Sequence, residues 1–119
     1  MKLVLLSTDL MITSLAAGVT QQLQLELLQT RDQASAVEAS HDDQVHVIVV
    51  DLRTAGLDIE SLVKQLREGD PRRPRIVAFG PHVHEARLAS AREAGCEVVA
   101  TRGQFDRDAL QIISQLMNS

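Results

Sequence analysis

Aromatic side chains are nearly absent from this sequence: Phe79 and Phe105 are the whole supply, with no Trp and no Tyr. Base-stacking platforms and aromatic cages need flat side chains in number, so neither is expected here. Cysteine is also scarce. Cys96 stands alone, which excludes an internal disulfide and a thiolate metal cluster, and it reads as a small apolar residue opening a strand. There is no surplus of positive charge, with 12 Lys and Arg against 16 Asp and Glu, a formal net charge of −4. Phosphate backbones are held by clustered cations, so nucleic acid is not an expected partner. Long apolar runs are missing too. Lys2 precedes Leu3–Leu6, and Ser7, Thr8 and Asp9 follow at once, far too short a run for a signal sequence or a membrane span. The expectation is a cytoplasmic chain with no membrane partner. Finally, there is no G-x-G-x-x-G, P-loop, G-x-S-x-G or H-E-x-x-H, and the chain is not read as an enzyme.

What is present is an ordinary globular balance, 45% hydrophobic and 24% charged over 119 residues, which fits one domain spanning 1–119. Four short runs are apolar at nearly every position: Leu3–Leu6, Val47–Val50, Ile76–Phe79 and Val98–Ala100. Such runs suit strands buried on both faces. A fifth segment alternates instead, with Leu23, Leu25 and Leu27 separated by Gln24 and Glu26, which predicts an edge strand with a wetter face. Between the runs the period becomes helical. Ile12, Leu15, Ala16 and Val19 fall on one helix face, as do Ile59, Leu62, Val63 and Leu66, and Leu110, Ile113 and Leu116 or Met117 nearly do. Ala34–Ser40 and Glu85–Ala94 are Ala-rich and contain neither Gly nor Pro.

Boundary residues agree with this alternation. Asp58 and Asp106 are each placed to cap a helix, with Leu57 and Phe105 ahead of them as staples onto Leu62 and Leu110. Gly69 and Gly95 are placed to close the third and fourth helices. Five strands alternating with five helices imply right-handed crossovers and a doubly wound parallel sheet. With the alternating second strand at an edge, the expected order is 2-1-3-4-5. The functional crevice of such a sheet lies beyond the strand C-termini, between strands one and three. Ser7, Thr8, Asp9 and Asp51 are the residues delivered there. Asp51 is the most informative of them, because a carboxylate directly ends the Val-Ile-Val-Val run of the central strand.

The segment Asp51-Leu52-Arg53-Thr54-Ala55-Gly56-Leu57-Asp58 resembles the phosphoacceptor motif of response-regulator receiver domains, the chemotaxis-receiver-like, flavodoxin-like (βα)5 fold. The resemblance runs the length of the chain and includes Ala94-Gly95 before the last strand and Phe105 ahead of the last helix. It implies that Asp51 is the phosphoacceptor. The family's two adjacent acids, which hold Mg²⁺, fall on Ser7 and Thr8, with Asp9 one position later. Metal ligation would thus rest on Asp9 and Asp51, and Mg²⁺ is expected to be weak and not required. Asp9 has the competing role of capping the first helix. The family's switch Ser or Thr falls on Phe79 or Gly80, neither of which has a hydroxyl. Its strand-five Lys falls on Arg102, a cation able to hold Asp51, with Gly103 in place of Pro and Gln104 as an extra residue. These departures imply an atypical, pseudo-receiver subtype.

Three functions follow. The first is a two-component or phosphorelay module with a degenerate site, acting through protein contacts. The second is a competent receiver phosphorylated on Asp51. The third is a small-molecule-binding flavodoxin-like domain, disfavoured by the lack of a phosphate-cradling loop and of aromatics to sandwich a flavin. By the resemblance, a protein partner or a homodimer uses the helix 4–strand 5–helix 5 face. Its core is Val83, Leu88, Val98 and Ala100 where exposed, rimmed by Arg87, Arg92 and Glu97. The chain ends with the fifth helix, which by the same resemblance suggests a stand-alone receiver or an excised domain. His82 and His84 form an H-x-H pair without an identifiable third metal ligand. His41-Asp42-Asp43 reads as a polar turn, and Arg72, Arg73 and Arg75 as a solvated connector.

Overall fold

A computed structural model describes residues 1–68 and 74–118. Five strands alternate with five helices: β1 Lys2–Leu6, α1 Leu10–Leu23, β2 Glu26–Thr30, α2 Gln33–Ala39, β3 Val45–Asp51, α3 Ile59–Arg67, β4 Arg75–Gly80, α4 Glu85–Ala94, β5 Val98–Thr101 and α5 Arg102–Met117. All strand pairs are parallel and the order is β2-β1-β3-β4-β5, as the alternation of periods implied.

The central strands are apolar throughout because each face meets a helical layer. Val4, Leu6, Ile48, Val50, Ile76 and Ala78 pack with Leu62, Leu66 and Leu88 of α3 and α4. The alternate residues Leu3, Leu5, Val47, Val49, Val77 and Phe79 pack with Ile12, Phe105 and Ile113 of α1 and α5. Burial of each large side chain contributes roughly 1.5–3 kcal/mol, so the period-two parity of the strands decides which helix each residue meets. Asp9, Asp32 and Asp58 cap α1, α2 and α3 through their carboxylates, and Gly95 closes α4 with φ 101°. Gly69, Pro71, Arg72 and Arg73 lie outside the described residues, while Arg75 opens β4. His41, Asp42 and Asp43 form the expected turn, and Asp42 reaches back to Lys2 Nζ at 2.6 Å.

Several local expectations are corrected. Leu23 belongs to α1, whose end is turned by Gln24 in a left-handed conformation (φ 57°), so β2 begins only at Glu26. Its Leu27 and Leu28 are half-buried against opposite layers, so neither face is simply wet. Helix α5 starts at Arg102, not after Asp106. Thr101 is its N-cap, and Gln104 closes a capping box by accepting the Thr101 amide. Gln104 is therefore a structural position and not a spare residue. Leu110 is 40% exposed, and Phe105, Ala109 and Ile113 are the inward residues of α5. Leu88 and Ala100 are buried and belong to the core, so they offer nothing to a contact face.

Candidate functional site

The parallel register pairs Leu6 with Val50, so the next residues of β1 and β3 emerge side by side at the C-terminal edge of the sheet. There the Ser7 hydroxyl donates to Asp51 Oδ2 at 2.8 Å. The Arg53 amide donates to Oδ1 at 2.9 Å, and the Thr54 hydroxyl donates to the Asp51 carbonyl at 2.7 Å. Asp51 is only 5% exposed, as is Ser7. A buried carboxylate needs donors, and these two neutral ones supply them. Among the described residues no cation pairs with Asp51.

Asp9 and Arg102 form a second group beside it. The Asp9 amide donates to Ser7 Oγ at 3.1 Å, which links the two groups through one hydroxyl. Asp9 Oδ1 accepts from the Met11 amide at 2.8 Å and the Ile12 amide at 3.4 Å, the capping role read from sequence. Its Oδ2 takes Arg102 Nη1 at 2.8 Å. Arg102 Nε pairs in turn with Asp106 at 3.1 Å. The Arg102 guanidinium holds the Asp9 carboxyl below its usual range against opposing desolvation, with help from the two amides. Burial works against the Arg102 charge, but its bonds to Asp9 and Asp106 outweigh that and strengthen its basicity. Arg102 thus stands in the cleft with Asp51 but spends its charge on Asp9 and Asp106, correcting the expectation that it holds Asp51. Thr8 is exposed at the rim.

A 270 Å³ cleft opens over Asp51, walled by Arg53, Phe79, Gly80, His82 and Arg102. Phe79 lies opposite Asp51 in the β3–β4 register, and Gly80 lies opposite Thr101. The Phe79 ring is turned into the α5 layer, stacked on Phe105 with centroids 4.6 Å apart and planes 6° from parallel. Gly80 is backed by Leu52, whose Cβ lies 3.3 Å from where a Gly80 Cβ would stand. His82 and His84 do not share an extended face. They sit in a turn closed by the His84 amide on the Pro81 carbonyl, with His82 exposed at the cleft and His84 opening α4. Among the described residues no group of three or more His, Cys, Asp or Glu is placed to hold a metal ion.

Mg²⁺ takes six oxygen ligands and usually recruits one or two carboxylates. Here Asp9 is committed to a guanidinium and a helix cap, and the Ser7 oxygen is already donating and accepting. This donor set does not fit the ion. Three participants carry signals in the sequence that point to other roles. Asp106 reads as a helix cap, but its i,i+4 spacing from Arg102 signals the ion pair that the structure contains. Thr101 and Gln104 carry the T-x-x-Q capping-box spacing, which moves the start of α5 and brings Arg102 to Asp9.

Cys96 lies just before β5, half-buried against the α3–α4 layer. Desolvation, and then the Glu97 charge, push its thiol up to about 11. Only the thiolate is nucleophilic, so alkylation by iodoacetamide near pH 7.5 is expected to be about a hundredfold or more slower than for a free cysteine. The rate should climb only as the pH nears that value. A rate equal to that of a free thiol at neutral pH would overturn this assignment.

No family profile matches the sequence, and no curated protein matches it. Solved structures do. The receiver domain of NtrX from Brucella abortus superposes with a TM-score of 0.82 at 18% identity, covering 99% of each chain. The receiver domain of the sensor histidine kinase PA1611 from Pseudomonas aeruginosa, solved with a magnesium ion coordinated in its active-site cleft, gives 0.82 at 17%, covering 99% of this chain and 98% of that one. The chemotaxis response regulator CheY4 of Vibrio cholerae gives 0.79 at 13%, covering 97% of each. At these identities the likeness establishes the fold, and the chain is folded as a receiver domain.

Proposed function

From this receiver-domain fold, we propose that the chain is a cytoplasmic signalling module of the two-component type that acts through protein contacts, with Asp51 a poor phosphoacceptor. The observation that carries this reading is the Ser7–Asp51 hydrogen bond: a neutral hydroxyl lies where the resemblance calls for an acid. Phosphoryl transfer is catalysed mainly by positioning and by neutralising charge on the transferring oxygens. Each charge-assisted contact contributes roughly 1.5–3 kcal/mol, so neutral oxygens at Ser7 and Thr8 weaken cation binding by about two to four powers of ten. Phe79 and Gly80 offer no hydroxyl to report a phosphoryl group to the outer helices. The partner face is the one around α4, β5 and α5, where Val83 is 69% exposed and Arg87 and Arg92 stand at the surface. Among the described residues no helix is long and apolar enough to cross a membrane.

The test is incubation with a small phosphodonor or beryllofluoride at millimolar Mg²⁺, read by intact mass and amide NMR shifts. Little or no modification of Asp51 is expected. Stoichiometric modification, with shifts reaching α4, would establish a competent phosphoacceptor instead.

A further inference from the structure

The acidic corner beside Asp51 already has a cation of its own. We propose that the guanidinium of Arg102, clamped between Asp9 and Asp106, is the resident counter-ion of this corner and keeps a divalent cation out of it. The inference rests on the reading of the cleft as a degenerate receiver site, and it assigns the exclusion of metal to one side chain.

Three observations carry it. First, Arg102 reaches Asp9 across 93 residues of sequence at 2.8 Å, and the same guanidinium takes Asp106 at 3.1 Å. Second, both ends of the clamp are fixed before it closes. Asp9 is the N-cap of α1 and Arg102 is the first residue of α5, each set by its own capping bonds. Both backbones and the Asp9 carboxylate are thus already placed, so that pairing has only the Arg102 side chain left to order, and a guanidinium keeps its charge at any ordinary pH. Third, the Asp9 backbone amide bonds Ser7 Oγ, which in turn bonds Asp51, so the carboxylate that Arg102 occupies belongs to the residue linked to Asp51. A divalent ion entering here must displace a guanidinium already satisfied by two carboxylates. Asp51 by itself offers only one carboxylate beside a neutral hydroxyl, a weak electrostatic hold on a hydrated divalent ion.

The experiment is a Mn²⁺ titration of the whole chain by calorimetry, with paramagnetic broadening of the Ser7, Asp9, Asp51 and Arg53 amides as the local readout. The wild type is expected to show no saturable site at low millimolar Mn²⁺. Arg102→Gln, a long neutral residue suited to a helix start, should gain about tenfold or more in affinity with broadening centred on Asp9 and Asp51, since one charge-assisted contact is released. Arg102→Lys should fall between the two. Adding Asp9→Asn to Arg102→Gln should abolish the gain. Wild-type binding as tight as that of Arg102→Gln overturns the proposal, as does a gain that survives Asp9→Asn. If Arg102→Gln does not fold, Arg102→Ala is used, a good helix former that also removes the guanidinium, and unchanged Mn²⁺ affinity in it then counts against the proposal. Phosphodonor labelling is a separate measurement. Labelled wild-type Asp51 would overturn the proposed function, whereas a metal-binding wild type overturns only the counter-ion.

Discussion

Phe79→Thr is expected to lower stability by about 3–5 kcal/mol, not to install a switch. Phe79 is 1% exposed and stacked on Phe105, which is equally buried, so truncation leaves a cavity between the sheet and α5. Loss of the ring pair adds about 0.5–1.5 kcal/mol beyond area burial, and an unpartnered hydroxyl in an apolar layer costs more. Denaturant unfolding checks the size of the effect. A double-mutant cycle with Phe105→Leu should show positive coupling, because either substitution alone already breaks the stack. A loss under about 1 kcal/mol, with amide shifts confined to Asp51, would mean that the ring is dispensable and the position is open to switching. The β4 side chain opposite Asp51 in the register is thus part of the core.

Glu97→Ala is expected to cost about 2–4 kcal/mol. Glu97 sits just ahead of β5, where its carboxylate accepts from Arg67 Nη2 at 2.6 and 2.7 Å and from the Ile76 amide at 2.6 Å. Arg67 Nη1 donates onward to the Pro74 carbonyl at 2.6 Å. One carboxylate therefore joins the end of α3 to the starts of β4 and β5, with the two side chains 18% and 24% exposed. Removing it strands the amide of fully buried Ile76 and leaves Arg67 without its anion. Glu97→Gln should lose about half as much, since it keeps one acceptor oxygen. The cluster lies at the opposite end of the sheet from Asp51, so the Ser7 and Arg53 amide shifts should not move in either variant. A loss under about 1 kcal/mol would place the pair among ordinary surface ion pairs. At the rim expected for the α4–β5–α5 face, Glu97 is exposed and paired with Arg67.

Most of the fold was legible because burial on two faces writes itself directly into composition. Leu3–Leu6, Val47–Val50 and Ile76–Phe79 are strands in the structure, and the i, i+4, i+7 spacing of Ile12, Ala16 and Val19 is an inward helix face. Element ends were less legible. The alternation of Leu23, Leu25 and Leu27 mimics a strand, yet Gln24 in a left-handed conformation ends a helix there. Leu110 fits the helical period but faces outward, because α5 begins at Thr101's cap and its phase is set from that point.

The site divides in the same way. Sequence alone determined that Asp51 ends the central strand, that β1 delivers Ser7 and Asp9 beside it, and that Phe79 or Gly80 and Arg102 arrive from β4 and the end of β5. Those placements follow from strand order and from side-chain period, which are local and regular. Only the tertiary structure decided which of these groups hold one another. Arg102 bonds Asp9 and Asp106 while Asp51 keeps a neutral hydroxyl, and Phe79 turns to Phe105 instead of the cleft. Ion pairs and ring stacks depend on through-space distances of a few ångströms between residues far apart in the chain, and no periodicity along the chain records them.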